Sequence, residues 1–154
     1  MSDKVLLVDD DPQFLEIFEA ILSRHFNIQA ASGPEQGLEI LSSDNSFQVI
    51  VADLYMQPMD GIEFLYRAQK LVPAASGILI TGHPSLDKII QAVNKTRIFG
   101  IFAKSDPVSQ LVSRIRQGIQ ASGPARPGKH SAKVSLSRDE LIFLQTFPFS
   151  HSKE

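Results

Sequence analysis

Two kinds of apolar pattern alternate along the chain. Short runs rich in branched residues read as strands: Val5-Leu6-Leu7-Val8, Val49-Ile50-Val51-Ala52, Ile78-Leu79-Ile80 and Ile101-Phe102-Ala103, with a weaker one at Ile28-Gln29-Ala30-Ala31. Such runs, apolar on both faces, are expected of parallel strands covered by helices on each side. Between them apolar residues recur every three or four positions, which lines one face of a helix. Asp11-Pro12, a cap followed by proline in the first turn, opens a helix carrying Phe14, Ile17, Phe18, Ile21 and Leu22. Ser32-Gly33-Pro34 opens a second with Leu38 and Leu41, and Asp60-Gly61 a third with Ile62, Leu65, Ala68 and Leu71. Pro84-Ser85 opens a fourth with Ile89, Ile90 and Val93. Asp106-Pro107 repeats the cap-plus-proline device before Val108, Leu111, Val112, Ile115 and Ile119. The order is strand then helix, five times over. With right-handed crossovers this predicts an α/β fold, a doubly wound parallel sheet with helices on both faces and a ligand site outside the carboxyl ends of the strands.

The pattern stops near Gln120, which sets the expected domain at residues 1–120. Residues 121–136 hold Gly123, Pro124, Pro127 and Gly128, with Arg126, Lys129, His130, Lys133 and no acid, which is linker composition. In residues 137–154, Ser137-Arg138-Asp139-Glu140 has the spacing of a capping box before Leu141-Ile142-Phe143-Leu144. The 154 residues suffice for one domain with a substantial core plus a modest tail. A net charge of −2 argues against a dedicated nucleic-acid binder. The absence of cysteine excludes disulfides and thiolate chemistry. Val5 to Val8 is too short for a signal-peptide core, and no apolar run approaches the roughly 20 residues of a membrane helix. A cytoplasmic location is the expectation.

Polar residues fall where the carboxyl edge of the sheet should lie. The first strand ends in Asp9-Asp10-Asp11, the third in Asp53, the fourth in Thr81 and the fifth in Lys104. Carboxylates gathered in one small volume repel and raise one another's pKa unless a cation intervenes. A hard divalent ion with oxygen ligands answers that, and Mg²⁺ favours a few carboxylates plus water and phosphate oxygens. Thr81 adds a hydroxyl donor and Lys104 a positive charge. Nucleophile, metal, hydroxyl and ammonium together are what phosphoryl transfer requires.

In Val5-Leu6-Leu7-Val8-Asp9-Asp10-Asp11-Pro12, Asp53-Leu54-Tyr55-Met56-Gln57-Pro58-Met59-Asp60-Gly61, Ile80-Thr81-Gly82 and Phe102-Ala103-Lys104, the chain resembles a response-regulator receiver domain of two-component signalling. The likeness covers roughly residues 3 to 120. It implies a flavodoxin-like, five-stranded sheet of order 2-1-3-4-5. It also implies Asp53 as phosphoacceptor, Asp10 as a direct Mg²⁺ ligand, Asp9 acting on the metal mainly through water, and the Tyr55 backbone carbonyl completing the protein's ligands. Thr81 would hydrogen-bond the phosphoryl group and Lys104 would pair with it. The resemblance implies a phosphohistidine kinase, a phosphotransfer protein or a small acyl phosphate as donor. The fourth helix, fifth strand and fifth helix would form a responding face and a possible homodimer contact. Such a domain is a phosphoacceptor and not a turnover enzyme.

Four features depart from the pattern, the last a pair of positions. Gln57 stands where the proline after the methionine is usual, with Pro58 next. Ser105 follows Lys104 where proline, often after a cis bond, is usual, and a cis bond before serine is costly. Ile101 holds the aromatic switch position, with Phe99 and Phe102 close. Tyr55 and His83 hold the variable positions expected to flank the phosphoryl group, where bulky Tyr55 would obstruct an attacking water.

Other features read more plainly. Asp11 is a helix cap, His83 a loop histidine, the phenylalanines of the first helix core, and Gly61 a backbone requirement at a helix start. His25, His130 and His151 lack metal-ligand spacing. A receiver-like docking module that takes no phosphate is one alternative, motivated by Gln57, Ser105 and Ile101. A haloacid-dehalogenase-like phosphatase is another, matched by Asp9 and Asp11, but Pro12 and Gln13 break its motif and Asp53 would be unexplained. Leu136-Ser137-Arg138-Asp139-Glu140-Leu141 resembles the opening of a LuxR-type DNA-binding domain, yet only about ten residues follow Phe143, too few for a helix-turn-helix. That leaves a fragment of a longer regulator, a short docking helix or a mobile tail as readings of the segment.

Overall fold

A computed structural model of the chain describes residues 3–83 and 85–123. Pro84, residues 124–136 of the expected linker and the expected segment 137–154 lie outside the described residues. The elements alternate as β1 (Lys4–Val8), α1 (Pro12–Leu22), β2 (Asn27–Ala31), α2 (Pro34–Ser43), β3 (Val49–Asp53), α3 (Gly61–Leu71), β4 (Ser76–Thr81), α4 (Leu86–Lys95), β5 (Ile98–Ala103) and α5 (Val108–Ala121). The five strands form one parallel sheet in the order β2-β1-β3-β4-β5.

Strand residues alternate between two cores, as the period of two requires. Leu6, Val8, Ile50, Ala52, Leu79 and Ile101 pack with Leu41 of α2, Ile62, Phe64 and Leu65 of α3 and Ile89 of α4. Val5, Leu7, Val49, Val51, Ile78, Ile80 and Phe102 pack on the other face with Phe18 and Leu22 of α1 and Leu111, Val112 and Ile115 of α5. Both faces being covered is why β1, β3 and β4 read as unbroken apolar runs. The edge strand β2 alternates exposed and half-buried residues up to the buried Ala31, which explains its weaker signal.

Several local expectations need correction. Ile17, Leu71 and Ile90, assigned to buried helix faces, are exposed. Asp106 does not cap α5: the cap residue is Pro107, without a side-chain hydrogen bond, and Asp106 instead accepts the Ala103 N–H at 3.2 Å. Ser85 stands at the cap of α4 but makes no side-chain cap bond. Strand β5 starts at Ile98, three residues before the apolar run recognised in the sequence. Asp11 does cap α1, accepting from Gln13 N at 3.1 Å and Phe14 N at 3.4 Å.

Candidate functional site

The polar residues at the strand ends are held there by the sheet itself. The parallel ladders run one residue past the strands: Asp9 N bonds Ala31 O at 3.2 Å, Leu54 N bonds Ile80 O at 2.8 Å, and Lys104 N bonds Thr81 O at 2.8 Å. Asp9, Asp53, Thr81 and Lys104 are thus fixed by backbone geometry at one edge. After Asp53 the chain buries Leu54 and Met56 in the α2–α4 core, and Leu54 O accepts the Gly61 N–H at 2.8 Å, closing the loop. Asp60 then caps α3 by accepting the Glu63 N–H at 2.9 Å. A Cβ on Gly61 would collide with the Asp53 backbone carbonyl, so glycine is needed there for close approach and not for an unusual φ.

Asp9, Asp10 and Asp53 each offer a carboxylate oxygen, all within 4.8 Å of one another. Asp9 and Asp53 are buried, while Asp10 is exposed. The ammonium of Lys104 lies 3.0 Å from Asp9 Oδ2 and 3.5 Å from Asp53 Oδ2. Asp9 Oδ1 accepts the Asp11 N–H at 2.9 Å, whereas buried Oδ2 has no well-directed hydrogen bond despite the nearby ammonium. Asp10 Oδ2 accepts the Gln57 N–H at 3.2 Å. Burial, then the charge of Asp9, pushes the Asp53 carboxyl up to about 6, against the pull of Lys104 and the Tyr55 N–H. Burial disfavours the charge of Lys104, but the Asp9 and Asp53 carboxylates outweigh it and hold the ammonium above its ordinary range. Three carboxylates gather where one ammonium reaches two of them, and a buried oxygen lacks a directed partner. That donor set fits a hard divalent cation.

Thr81 is fully buried, and its Oγ1 accepts the His83 N–H at 3.1 Å, while the His83 side chain is exposed. Tyr55 is exposed beside the acids. Ile101 is buried against α3 and α4. Phe102 is buried on the opposite face and Phe99 packs half-buried there, so neither stands in for an aromatic at position 101. The cis peptide bond among the described residues is Gln57–Pro58, not the bond before Ser105. Asp11, the second acid of the phosphatase-like pair, is committed to capping α1.

Two side-chain contacts, besides the Gln57 N–H on Asp10, escaped the sequence. Lys104 Nζ sits 4.1 Å from the centroid of the Phe14 ring, which stacks on Phe18 at 4.0 Å. Lys88 of α4 pairs with Asp60 Oδ2 at 3.0 Å, joining α4 to the end of the Asp53 loop. The i, i+4 spacing of Phe14 and Phe18 announced their stacking, but nothing local announced the lysines.

Doubly wound topology and this edge together define a receiver-type α/β domain. The chain belongs to the response regulator receiver domain family of two-component systems, which it matches over residues 5–116. It is 29% identical over 122 residues to the transcriptional regulatory protein GlrR of Escherichia coli (strain K12), covering 79% of this chain and 27% of that protein. It is 29% identical over 126 residues to the hydrogenase transcriptional regulatory protein HoxA of Cupriavidus necator, covering 80% of this chain and 26% of that one. The chain therefore spans about a quarter of the length of these relatives. Among solved structures it resembles a CheY-like receiver domain of Methanospirillum hungatei, at 25% identity and a TM-score of 0.72, covering 78% of this chain and 95% of that one. It also resembles the beryllofluoride-activated NtrC4 receiver domain dimer, at 26% identity and a TM-score of 0.70, covering 77% and 97%. Among the described residues no helix is long and apolar enough to cross a membrane.

Proposed function

We propose that this receiver domain accepts a phosphoryl group on Asp53 from a phosphohistidine kinase, a phosphotransfer protein or a small acyl phosphate. The observation that carries this is the Asp53 carboxylate itself, buried at the end of β3 with Lys104 3.5 Å away and two more carboxylates beside it. A carboxylate oxygen of Asp53 attacks phosphorus in line. The bond from phosphorus to the donor breaks, and its electron pair leaves with the donor. Asp10, Asp53 and the Tyr55 backbone carbonyl would hold Mg²⁺, with Asp9 acting on it mainly through water, and the ion would supply charge neutralisation for the phosphoryl oxygens. Lys104 pairs with the phosphoryl group, and the Thr81 hydroxyl donates to one of its oxygens. Asp9 keeps Lys104 charged and aimed at the pocket throughout.

The acyl phosphate biases the segment following Thr81 and the α4-β5-α5 face, and only through contacts it makes better in one state than in the other. With Ile101 at the switch position on β5, the response does not rest on an aromatic rotamer there. That NtrC4 receiver is a dimer when activated, and we extend dimerisation to this chain through α4, β5 and α5, where Ile90 is exposed. On this reading residues 1–120 act as the receiver, and residues 121–136 link it to residues 137–154, a docking helix or part of an output region. The domain works in the cytoplasm and turns over no substrate beyond its own phosphorylation and dephosphorylation.

The test incubates the chain with Mg²⁺ and acetyl phosphate and reads its intact mass. One added phosphoryl group, absent in Asp53→Asn and on chelation, is the expected result. No adduct, together with no beryllofluoride binding by a folded protein, would establish a phosphate-independent docking domain instead.

A further inference from the structure

Asp10 stands apart from the other two acids of the site. It is exposed, and no cation pairs with it among the described residues, whereas Asp9 and Asp53 share Lys104. Yet its oxygen lies within 4.8 Å of theirs. One group holds it there: the main-chain N–H of Gln57, donating to Oδ2 at 3.2 Å across 47 residues of sequence. The loop that carries this N–H is anchored on both sides of the contact. Met56 is buried before it, and the Gly61 N–H to Leu54 O bond closes the loop after it. A proline at position 57 would have no N–H to give; here the proline comes one residue later, at Pro58.

We propose that the Gln57 main-chain N–H is a positioning group for the metal site, holding the Asp10 carboxylate over Asp9 and Asp53 in readiness for Mg²⁺. The inference rests on the Mg²⁺ reading above. A carboxylate carries about four lone-pair sites, so one N–H on Oδ2 leaves the others free for a cation. The donor also counters the repulsion that otherwise disperses the three acids before the ion arrives. Its contribution is therefore preorganisation: the work of gathering the ligands is done by the fold instead of by the ion.

The test uses the full chain, with Mg²⁺ titrated by calorimetry and the Gln57 amide followed by ¹H–¹⁵N NMR. Gln57→Pro removes the donor and should weaken Mg²⁺ binding about tenfold, the lower end for a hydrogen bond to a charged group. Gln57→Ala separates main chain from side chain, since it keeps the N–H; a loss equal to that of Gln57→Pro would overturn the assignment. Should Gln57→Pro fail to fold, the metal-free protein still decides. Asp10→Ala should then move the Gln57 amide proton upfield more than those of Met56 and Met59, and an unmoved resonance overturns the hydrogen bond. Wild type binding Mg²⁺ with Gln57→Pro binding equally well sinks this inference alone. A wild type that binds no Mg²⁺ sinks the metal reading with it.

Discussion

Replacing Asp53 by asparagine should stabilise the metal-free domain, although it abolishes the phosphoacceptor. The Asp53 side chain is buried, and burial first, then the neighbouring charge of Asp9, raises its carboxyl from 3.8 to about 6. Below pH 3.8 both the folded and the unfolded chain hold the proton, and the carboxyl costs the fold nothing. As the pH rises, the unfolded chain ionises first. The folded chain follows only near pH 6, and above that the ionised, buried acid opposes folding in full. A raised folded-state pKa thus contributes stability that is present in acid and lost on the way to neutrality. A gap of about two units corresponds to about 3 kcal/mol at neutral pH. That is an upper bound, because the loop relaxes and water and cations reach its edge. Asparagine keeps the shape, carries no charge, and leaves Lys104 its partner Asp9 at 3.0 Å. Urea unfolding of wild type and Asp53→Asn in chelator, from pH 4 to pH 8, measures the difference directly. The gap should be only about 0.5 kcal/mol at pH 4, and the variant should lead by about 1–3 kcal/mol above pH 7. Equal stability at neutral pH, or a wild type more stable throughout, would refute the electrostatic account of the pocket.

The contacts around the pocket make further outcomes measurable. Phe14→Leu keeps an apolar side chain but removes the ring face under Lys104, and should weaken beryllofluoride binding by about 1 kcal/mol, read by titration. Gly61→Ala drives a methyl group into the Asp53 carbonyl and should destabilise the domain by about 1–3 kcal/mol in urea, with lower phosphorylation in the folded fraction. Tyr55→Ala should shorten the lifetime of the acyl phosphate, followed by loss of the adduct mass after donor removal; an unchanged lifetime would show that Tyr55 does not obstruct water.

The sequence made the sheet legible because burial on both faces leaves an unbroken apolar run at β1, β3 and β4. It revealed less of β2, which lies at an edge, and of the start of β5, where Gly100 interrupts the run. Helix faces were read too widely: Ile17, Leu71 and Ile90 keep the helical period yet lie at the margin of the stripe, in solvent. The acids, Thr81 and Lys104 were legible because strand ends converge in any doubly wound sheet. Asp106 matched one local rule and obeyed another, since the Ala103 N–H three residues earlier claims its carboxylate. Phe14 under Lys104, Lys88 on Asp60 and the Gln57 N–H on Asp10 join residues far apart in the chain. Periodicity carries no information about such pairs.

The central claim is that Asp53 is the residue that takes the phosphoryl group, and trapping the adduct tests it most directly. After incubation with Mg²⁺ and acetyl phosphate, borohydride reduces an aspartyl phosphate to homoserine, and tandem mass spectrometry of the peptides locates it. Homoserine at position 53, absent without donor or with chelator, is the predicted result. Homoserine at position 9 or 10, with Asp53 unchanged, would contradict the account.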